Sequence, residues 1–425
     1  MSLTDQSIRN LLEIKDQNII FIEDTYFDVV KGLQALIIPA ILTYPIDRCI
    51  NCGFAGKVVK YGFNTNMIIA PSLVQRPTFL KLKRQRFKCL ACQTTFDAQT
   101  DYIWFNCRIA QPVRQLILSD AGTNQSNKAI ALRYHVSDKT VQRIIDEEVS
   151  SHNQFHRDWL PEHLAIDEFN STDQMSFIWC DADCHELGEI LPTRTSYQIT
   201  KYFSAFSLNA RKRVKTVSLD LNAGYINLVP KLFPNAEVIV DRFHIAQMAN
   251  RAVNQQRVQT MNQLKKSDKK YRFMKREWKQ FLRPITKLES SQLQYHQSVG
   301  YYETSLNLVT ECLELSESFK QSYYFYQGLL NALTAKDKTI FNNCLDNYHF
   351  SDVSLDTTVR TFKKYRHQVL NAVDSPYSNG FLEATIGRIK KIKNTAYGFR
   401  NYNNYINRIK LEILWLHEPR KIKCA

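Results

Sequence analysis

Three short apolar runs each lead into a carboxylate: His163-Leu-Ala-Ile-Asp167-Glu168, Val214-Lys-Thr-Val-Ser-Leu-Asp220 and Glu237-Val-Ile-Val-Asp241. A fourth carboxylate, Glu383, follows Ser375-Pro-Tyr-Ser-Asn379-Gly380 one turn into a basic helical pattern. Hard divalent cations such as Mg2+ or Mn2+ take oxygen ligands, so carboxylates at strand ends are suitable anchors. Two such ions about 4 Å apart can neutralise a scissile phosphate together with its attacking and leaving oxygens. A single strand-end Asp is ordinarily a turn former. Three of them with a later Glu suit metal-assisted phosphodiester chemistry.

The second reactive set is thiol. Cys49-Ile-Asn-Cys52 and Cys89-Leu-Ala-Cys92 have the spacing of a four-thiolate structural Zn2+ site, each knuckle aiming two sulfurs at one tetrahedral ion. Gly53 and Gln93 suit the knuckle turns. Residues 57–61 and 79–87 read as a strand hairpin that brings the knuckles together. So small a module buries little apolar surface, and zinc would supply its folding energy. Arg76, Lys81, Lys83, Arg84, Arg86 and Lys88 lie in the connecting loop and suit phosphate.

Around these groups the chain divides into expected segments. Residues 1–46 form a helical or mixed lead-in, 47–104 the zinc-binding module, and 105–158 a helix-turn-helix. In the last, Val113, Leu116 and Ile117, then Ala129, Ile130 and Leu132, then Val141, Ile144 and Ile145 form three apolar faces, with Ser137 capping the third helix. Lys139, Thr140, Gln142 and Arg143 point outward there, types suited to phosphates and base edges. Residues 159–250 alternate strands and helices as the first part of a catalytic core. Residues 251–373 are a helical insertion in which aromatics such as Tyr323-Tyr-Phe-Tyr326 are core. Residues 374–425 complete the core with the Glu383 helix and a basic tail; Arg388, Lys390, Lys391 and Arg400 are its candidate DNA contacts.

Composition bounds the partners. The 425 residues are 44% hydrophobic, enough for several cores, and the net charge of +15 favours a polyanion, nucleic acid first. The most apolar stretch, 36–42, is too short to span a membrane, and MSLTDQSIRN is not a secretory signal. A reducing, cytoplasmic setting follows for the ten cysteines, with metal binding and buried thiols favoured over disulfides.

Taken together, Cys49-x2-Cys52 with Cys89-x2-Cys92, Ile166-Asp-Glu-Phe169, Val240-Asp-Arg-Phe-His244, and Ser378-Asn-Gly through Glu383 to Tyr397-Gly-Phe-Arg400 resemble the ISL3 family of bacterial insertion-sequence transposases over nearly the whole chain. The chain departs from that pattern at Ala384, where members usually carry Gly, and at Asn394-Thr-Ala before the Tyr-Gly pair. The resemblance implies an α/β, RNase H-like mixed sheet interrupted by a helical insertion, and a DDE carboxylate trio. It also implies double-stranded DNA as partner, both element ends and target, with at least a homodimer pairing two ends. In RNase H-like transposases the second Asp follows the fourth strand. Counting strands makes that Asp220, with Asp241 the alternative and His244 in support; Asp167 and Glu383 complete the trio. Two other readings are a transposase-derived DNA-binding regulator and an RNase H-like nuclease that cuts without joining.

Overall fold

The computed structural model describes residues 3–415 except 31, 74, 75, 105, 124, 153–156, 351, 352 and 397. Tyr397 of the Tyr-Gly pair therefore lies outside the described residues. The described chain forms two compact units, one of 3–152 with 389–415 and one of 157–388.

The first unit runs α1 (Leu3–Leu12), β1 (Ile19–Phe21), β2 (Tyr26–Val30), β3 (Leu33–Leu42), β4 (Val58–Leu73), β5 (Arg76–Cys89), β6 (Thr95–Asp97), then α2 (Gln111–Ala121), α3 (Asn127–Arg133) and α4 (Asp138–His152). The expected hairpin is present: β4 pairs antiparallel with β5 from Val58↔Cys89 to Leu73↔Arg76. The boundary expected at residue 46 falls inside a sheet, because β3 pairs in parallel with β5 from Leu36↔Thr78 to Leu42↔Arg84. The reason is the apolar run of β3, whose Ile37, Ile38, Ala40 and Leu42 are all buried. Such a run has to be covered on both faces.

Sheet and helices share one core, in which Leu12, Ile38, Leu80 and Phe87 cluster with Ile117, Ile130 and Ile144. Ser126 Oγ accepts from Ala129 N at 3.2 Å and Ser137 Oγ from Thr140 N at 3.1 Å, so α3 and α4 are both capped. Leu116 and Leu132, expected inside, are 43% and 70% exposed, and Ala129 is exposed too. The seven residues of α3 make only two turns, and these bury Ile130 and Ala131 alone. A helix at Tyr402–Lys410 also belongs to this unit. Its buried Arg408 donates to the carbonyls of Thr123 and Gln125 at 2.9 and 2.6 Å, which ties this helix to the turn before α3. The segment 374–425 is thus divided at residue 389 between the two units.

The second unit begins with β7 (His163–Asn170), β8 (Met175–Asp181) and β9 (Leu187–Leu191), an antiparallel meander. Next come α5 (Ser196–Ser204), α6 (Leu208–Arg213), β10 (Thr216–Leu219), α7 (Ala223–Leu232) and β11 (Glu237–Val240). The sheet order is β11-β10-β7-β8-β9, with β10 parallel to both β7 and β11. The strands β10 and β11 are buried on both faces, as helix-covered parallel strands are (Val217, Leu219, Val238, Ile239 and Val240).

Beyond the sheet lie α8 (Arg242–Asn262), α9 (Lys269–Arg276), a hairpin of β12 (Gln294–His296) and β13 (Tyr301–Glu303), and α10 (Ser305–Leu313). Then follow α11 (Glu317–Ala335), α12 (Lys338–Asp346), α13 (Val353–Lys364), α14 (Arg366–Asp374) and α15 (Gly380–Thr395). In the aromatic run on α11, Tyr323, Phe325 and Tyr326 are buried as expected, while Tyr324 stands 48% exposed. The β12–β13 hairpin is an addition to a segment that reads as almost wholly helical.

Candidate active site and metal centres

The four cysteines converge. Cys49 and Cys52 precede β4, Cys89 ends β5 and Cys92 lies just beyond it, and the four sulfurs lie within 4.8 Å of one another. Cys49 Sγ is 3.7 Å from Cys92 Sγ, and Cys52 Sγ is 3.8 Å from Cys89 Sγ. Both knuckles turn through left-handed residues, Gly53 at φ 74° and Gln93 at φ 60°. Asn51 N donates to Cys49 Sγ, and Thr94 Oγ1 sits 2.9 Å from Cys92 Sγ, pulling that thiol down to about 6, whereas burial and the three neighbouring sulfurs push Cys52 up to about 12. This donor set fits structural zinc.

In the second unit, the carboxylates meet at one end of the sheet. The β10–β7 register runs Thr216↔His163 to Ser218↔Ala165, and extending it two residues sets Asp220 level with Asp167. Asp167 is not at its strand's end as expected; β7 continues to Asn170 through pairing with β8, and it is the pairing with β10 that stops short of it. Asp220 and Asp241 directly follow β10 and β11, and Glu383 is one turn into α15. His244, in the first turn of α8, donates from Nε2 to Asp220 Oδ2 at 2.8 Å. Ligand atoms of Asp241, His244 and Glu383 lie within 4.8 Å of one another.

The two Asp candidates differ in what their oxygens do. Asp241 is buried, caps α8 by accepting from Phe243 N at 3.1 Å, and accepts from Asn379 N at 3.2 Å. Both its oxygens thus hold backbone. Asp220 keeps Oδ1 buried outside hydrogen-bond geometry, with the Asn379 side chain close enough to offset part of the rise in its carboxyl. A buried oxygen left so is costly unless something absent from the protein satisfies it.

Electrostatics separate this cluster from an ordinary surface group. Burial, then the charges of Asp220 and Glu383, push the Asp167 carboxyl up to about 7. Burial, then Asp241, Glu383 and Glu168, push Asp220 up to about 7 as well. Glu383 is raised by burial and by Asp241. Carboxylates that repel one another in a partly buried pocket fit a divalent cation, which would remove the repulsion.

Two contributors are not visible in sequence. Asn379 is fully buried; its Nδ2 donates to Ile166 O at 3.0 Å, beside Asp167. With its backbone N on Asp241, it ties the start of α15 to two strands at once. Glu168 is held by Arg194 Nη1 at 2.9 Å and by the Tyr225 hydroxyl at 3.2 Å. Ser375-Pro-Tyr-Ser-Asn-Gly signals a helix start, but nothing local says which strands that start grips.

The expected DNA contacts fare unequally. Lys139, Arg143, Lys390, Lys391 and Arg400 are exposed, as is Arg388, and Arg86 is partly so. Arg84 uses Nε and Nη2 on Ala98 O at 3.0 and 2.8 Å, which joins β5 to the end of β6. Gln142 has its amide engaged at both ends, by Asn127 and Asp146, and Thr140 caps against Ser137.

One unit thus holds a thiol cluster that fits zinc, and the other a set of carboxylates at one end of its sheet. The chain belongs to the ISL3 family of transposases: that family's model, described as "Transposase", matches residues 164–409, and a second, "zinc-finger of transposase IS204/IS1001/IS1096/IS1165", matches residues 47–92. The transposase for insertion sequence element IS1001 of Bordetella parapertussis is 24% identical over 308 residues, 71% of this chain and 72% of that one. A Lactococcus lactis subsp. lactis protein named ATP-dependent protease is 36% identical over 106 residues, 25% of this chain; the match spans only 34% of that protein's length. No helix among the described residues is long and apolar enough to cross a membrane.

Proposed function

We propose that the chain binds the inverted repeats at the ends of an insertion sequence, cleaves them and joins them to target DNA. Asp167, Asp220 and Glu383 are the metal-holding trio, and Asp241 and His244 support it. The observation that carries this reading is the placement of Asp167 and Asp220 level with each other on the adjacent strands β7 and β10, with the Glu383 charge, one turn into α15, acting on both. Mg2+ or Mn2+ bound there would supply charge neutralisation at the scissile phosphate and an activated water.

The strand order β9-β8-β7-β10-β11 supports the RNase H-like reading, with Asp220 after the fourth strand in chain order. It favours Asp220 over Asp241, as does the engagement of both Asp241 oxygens by backbone. In cleavage, a water oxygen bonds to phosphorus as the bond to the 3′ oxygen breaks, and a 3′-hydroxyl leaves. In joining, that hydroxyl attacks a target phosphorus and displaces another 3′ oxygen. One P–O bond forms for each that breaks, so no protein nucleophile is needed. His244 holds Asp220 in orientation, and Asn379 fixes the start of the Glu383 helix.

The zinc-bearing sheet and the α2–α4 helices, read as a helix-turn-helix with Lys139 and Arg143 outward, serve end recognition. Arg86, Arg388, Lys390, Lys391 and Arg400 add phosphate contacts. Arg84, Gln142 and Thr140 contribute to the scaffold instead. Pairing two ends calls for at least a dimer. The test is a labelled element end incubated with Mg2+ and plasmid target. Nicked and joined products are expected; nicks without joints would leave a nuclease, and binding without nicks a regulator.

A further inference from the structure

The helical insertion carries a second cationic surface. Between residues 265 and 287 there are ten Lys or Arg and only two acidic residues, an excess that accounts for more than half of the chain's net charge of +15. The two acids do not neutralise the outer face. Asp268 caps α9 by accepting from Lys270 N at 2.7 Å. Glu277 is turned inward to the buried His296 at 2.7 Å and to the Ser298 hydroxyl. Phe273 and Met274 anchor α9 in the core. Lys265, Lys266, Lys275, Arg276, Lys279 and Lys287 are left exposed, and among the described residues none has a carboxylate in ion-pair range.

Ordinary solvated faces intersperse the two signs, because a one-sign field repels itself. Here the fold instead consumes the segment's own acids in a cap and a buried pair; Lys270 turns to Glu311 at 3.7 Å, and the six exposed cations named above are left without a carboxylate. We propose that this face of the insertion, from Lys265 to Lys287, is a binding surface for duplex DNA that grips phosphates without reading sequence. Its cations are long, flexible side chains spread over α9, the loop before it and the 3-10 turns after it. Such groups suit phosphates spaced along a duplex more than base edges in a groove. The proposal deepens the transposase reading and rests on it: DNA reaching the carboxylate pocket would gain a second hold in the same unit.

The test is duplex binding by the full-length chain, followed by fluorescence anisotropy over a salt series. The wild type is compared with Lys275→Gln/Arg276→Gln and with a variant adding Lys265→Gln, Lys266→Gln and Lys279→Gln. All five positions are exposed, and unchanged circular-dichroism melts will verify folding. The slope of log affinity on log salt should shrink by about 0.9 for each phosphate no longer neutralised. Affinity should fall roughly tenfold or more for the five-site variant, equally on element-end and random duplexes. Unchanged slope and affinity overturn the proposal while leaving the transposase reading intact. So does a loss confined to element ends, to single strands or to RNA. A wild-type chain that binds no duplex at all overturns both.

Discussion

His244 Nε2 lies 2.8 Å from Asp220 Oδ2, while its Nδ1 lies 3.9 Å from Asp241 Oδ2. One imidazole thus stands between the two Asp residues that compete for the same role in sequence. It contacts the one with a buried oxygen outside hydrogen-bond geometry more closely than the one already occupied by backbone. His244→Ala should leave Asp220 free to swing, lowering cleavage while weakening divalent-ion binding only modestly. Outer-sphere partners of metal ligands typically contribute about 10- to 100-fold. A cleavage rate within about twofold of wild type at saturating Mn2+, well short of that range, would contradict this placement.

Asp241→Asn keeps the shape but offers one carbonyl oxygen where the carboxylate serves two N–H donors. A helix cap of this kind contributes roughly 1 kcal/mol. The melting temperature should therefore drop by about 2–4 °C. Asp220→Asn should do the opposite in metal-free buffer, since it removes repulsion and breaks no hydrogen bond to backbone. Equal and opposite assignments, with Asp220→Asn the destabilising change, would reverse the roles given to the two residues.

The pH dependence has a definite sign. Asp167 and Asp220 are both raised from the ordinary 3.8 to about 7 in the folded chain. The native state therefore holds these protons more tightly than the unfolded one, and stability falls as pH climbs from about 4 toward 7. Melting scans in chelator should show that decline, flatter in Asp167→Asn and Asp220→Asn, with Mg2+ or Mn2+ restoring stability near neutral pH in the wild type only. Parallel pH profiles for wild type and both variants would show that the pocket carries no such strain.

Zinc content follows from the thiol geometry. Purified chain should hold one zinc per molecule by elemental analysis, and Cys52→Ser or Cys89→Ser should lose it. Because Cys89 ends β5, which pairs with β3 and β4, zinc removal should loosen the whole first-unit sheet. Accelerated amide exchange along β4 and β5 is the expected signature; unchanged exchange after metal removal would make the zinc dispensable.

Much of this site is legible locally. The C-x2-C pairs announce themselves by spacing, and the runs ending at Asp167, Asp220 and Asp241 are apolar enough to count as strands, which is how Asp220 comes to follow the fourth. What is hidden depends on distant partners. The grip of Asn379 on Ile166 spans 213 residues, and no periodicity encodes it. Glu168 next to Asp167 could be read as a ligand until Arg194 and Tyr225 are seen to hold it. The parallel β3–β5 pairing passes across the first knuckle, so composition suggests a boundary where the sheet has none. Arg84 and Gln142 have residue types suited to DNA, but their hydrogen bonds turn them inward.

The most direct measurement sets Asp220→Asn against Asp241→Asn on a labelled element end with Mg2+ and plasmid target. Asp220→Asn is expected to give neither nicking nor joining, with folding intact, and Asp241→Asn reduced but measurable products. Normal cutting by Asp220→Asn beside a dead Asp241→Asn would contradict the assignment of Asp220 to the metal-holding trio.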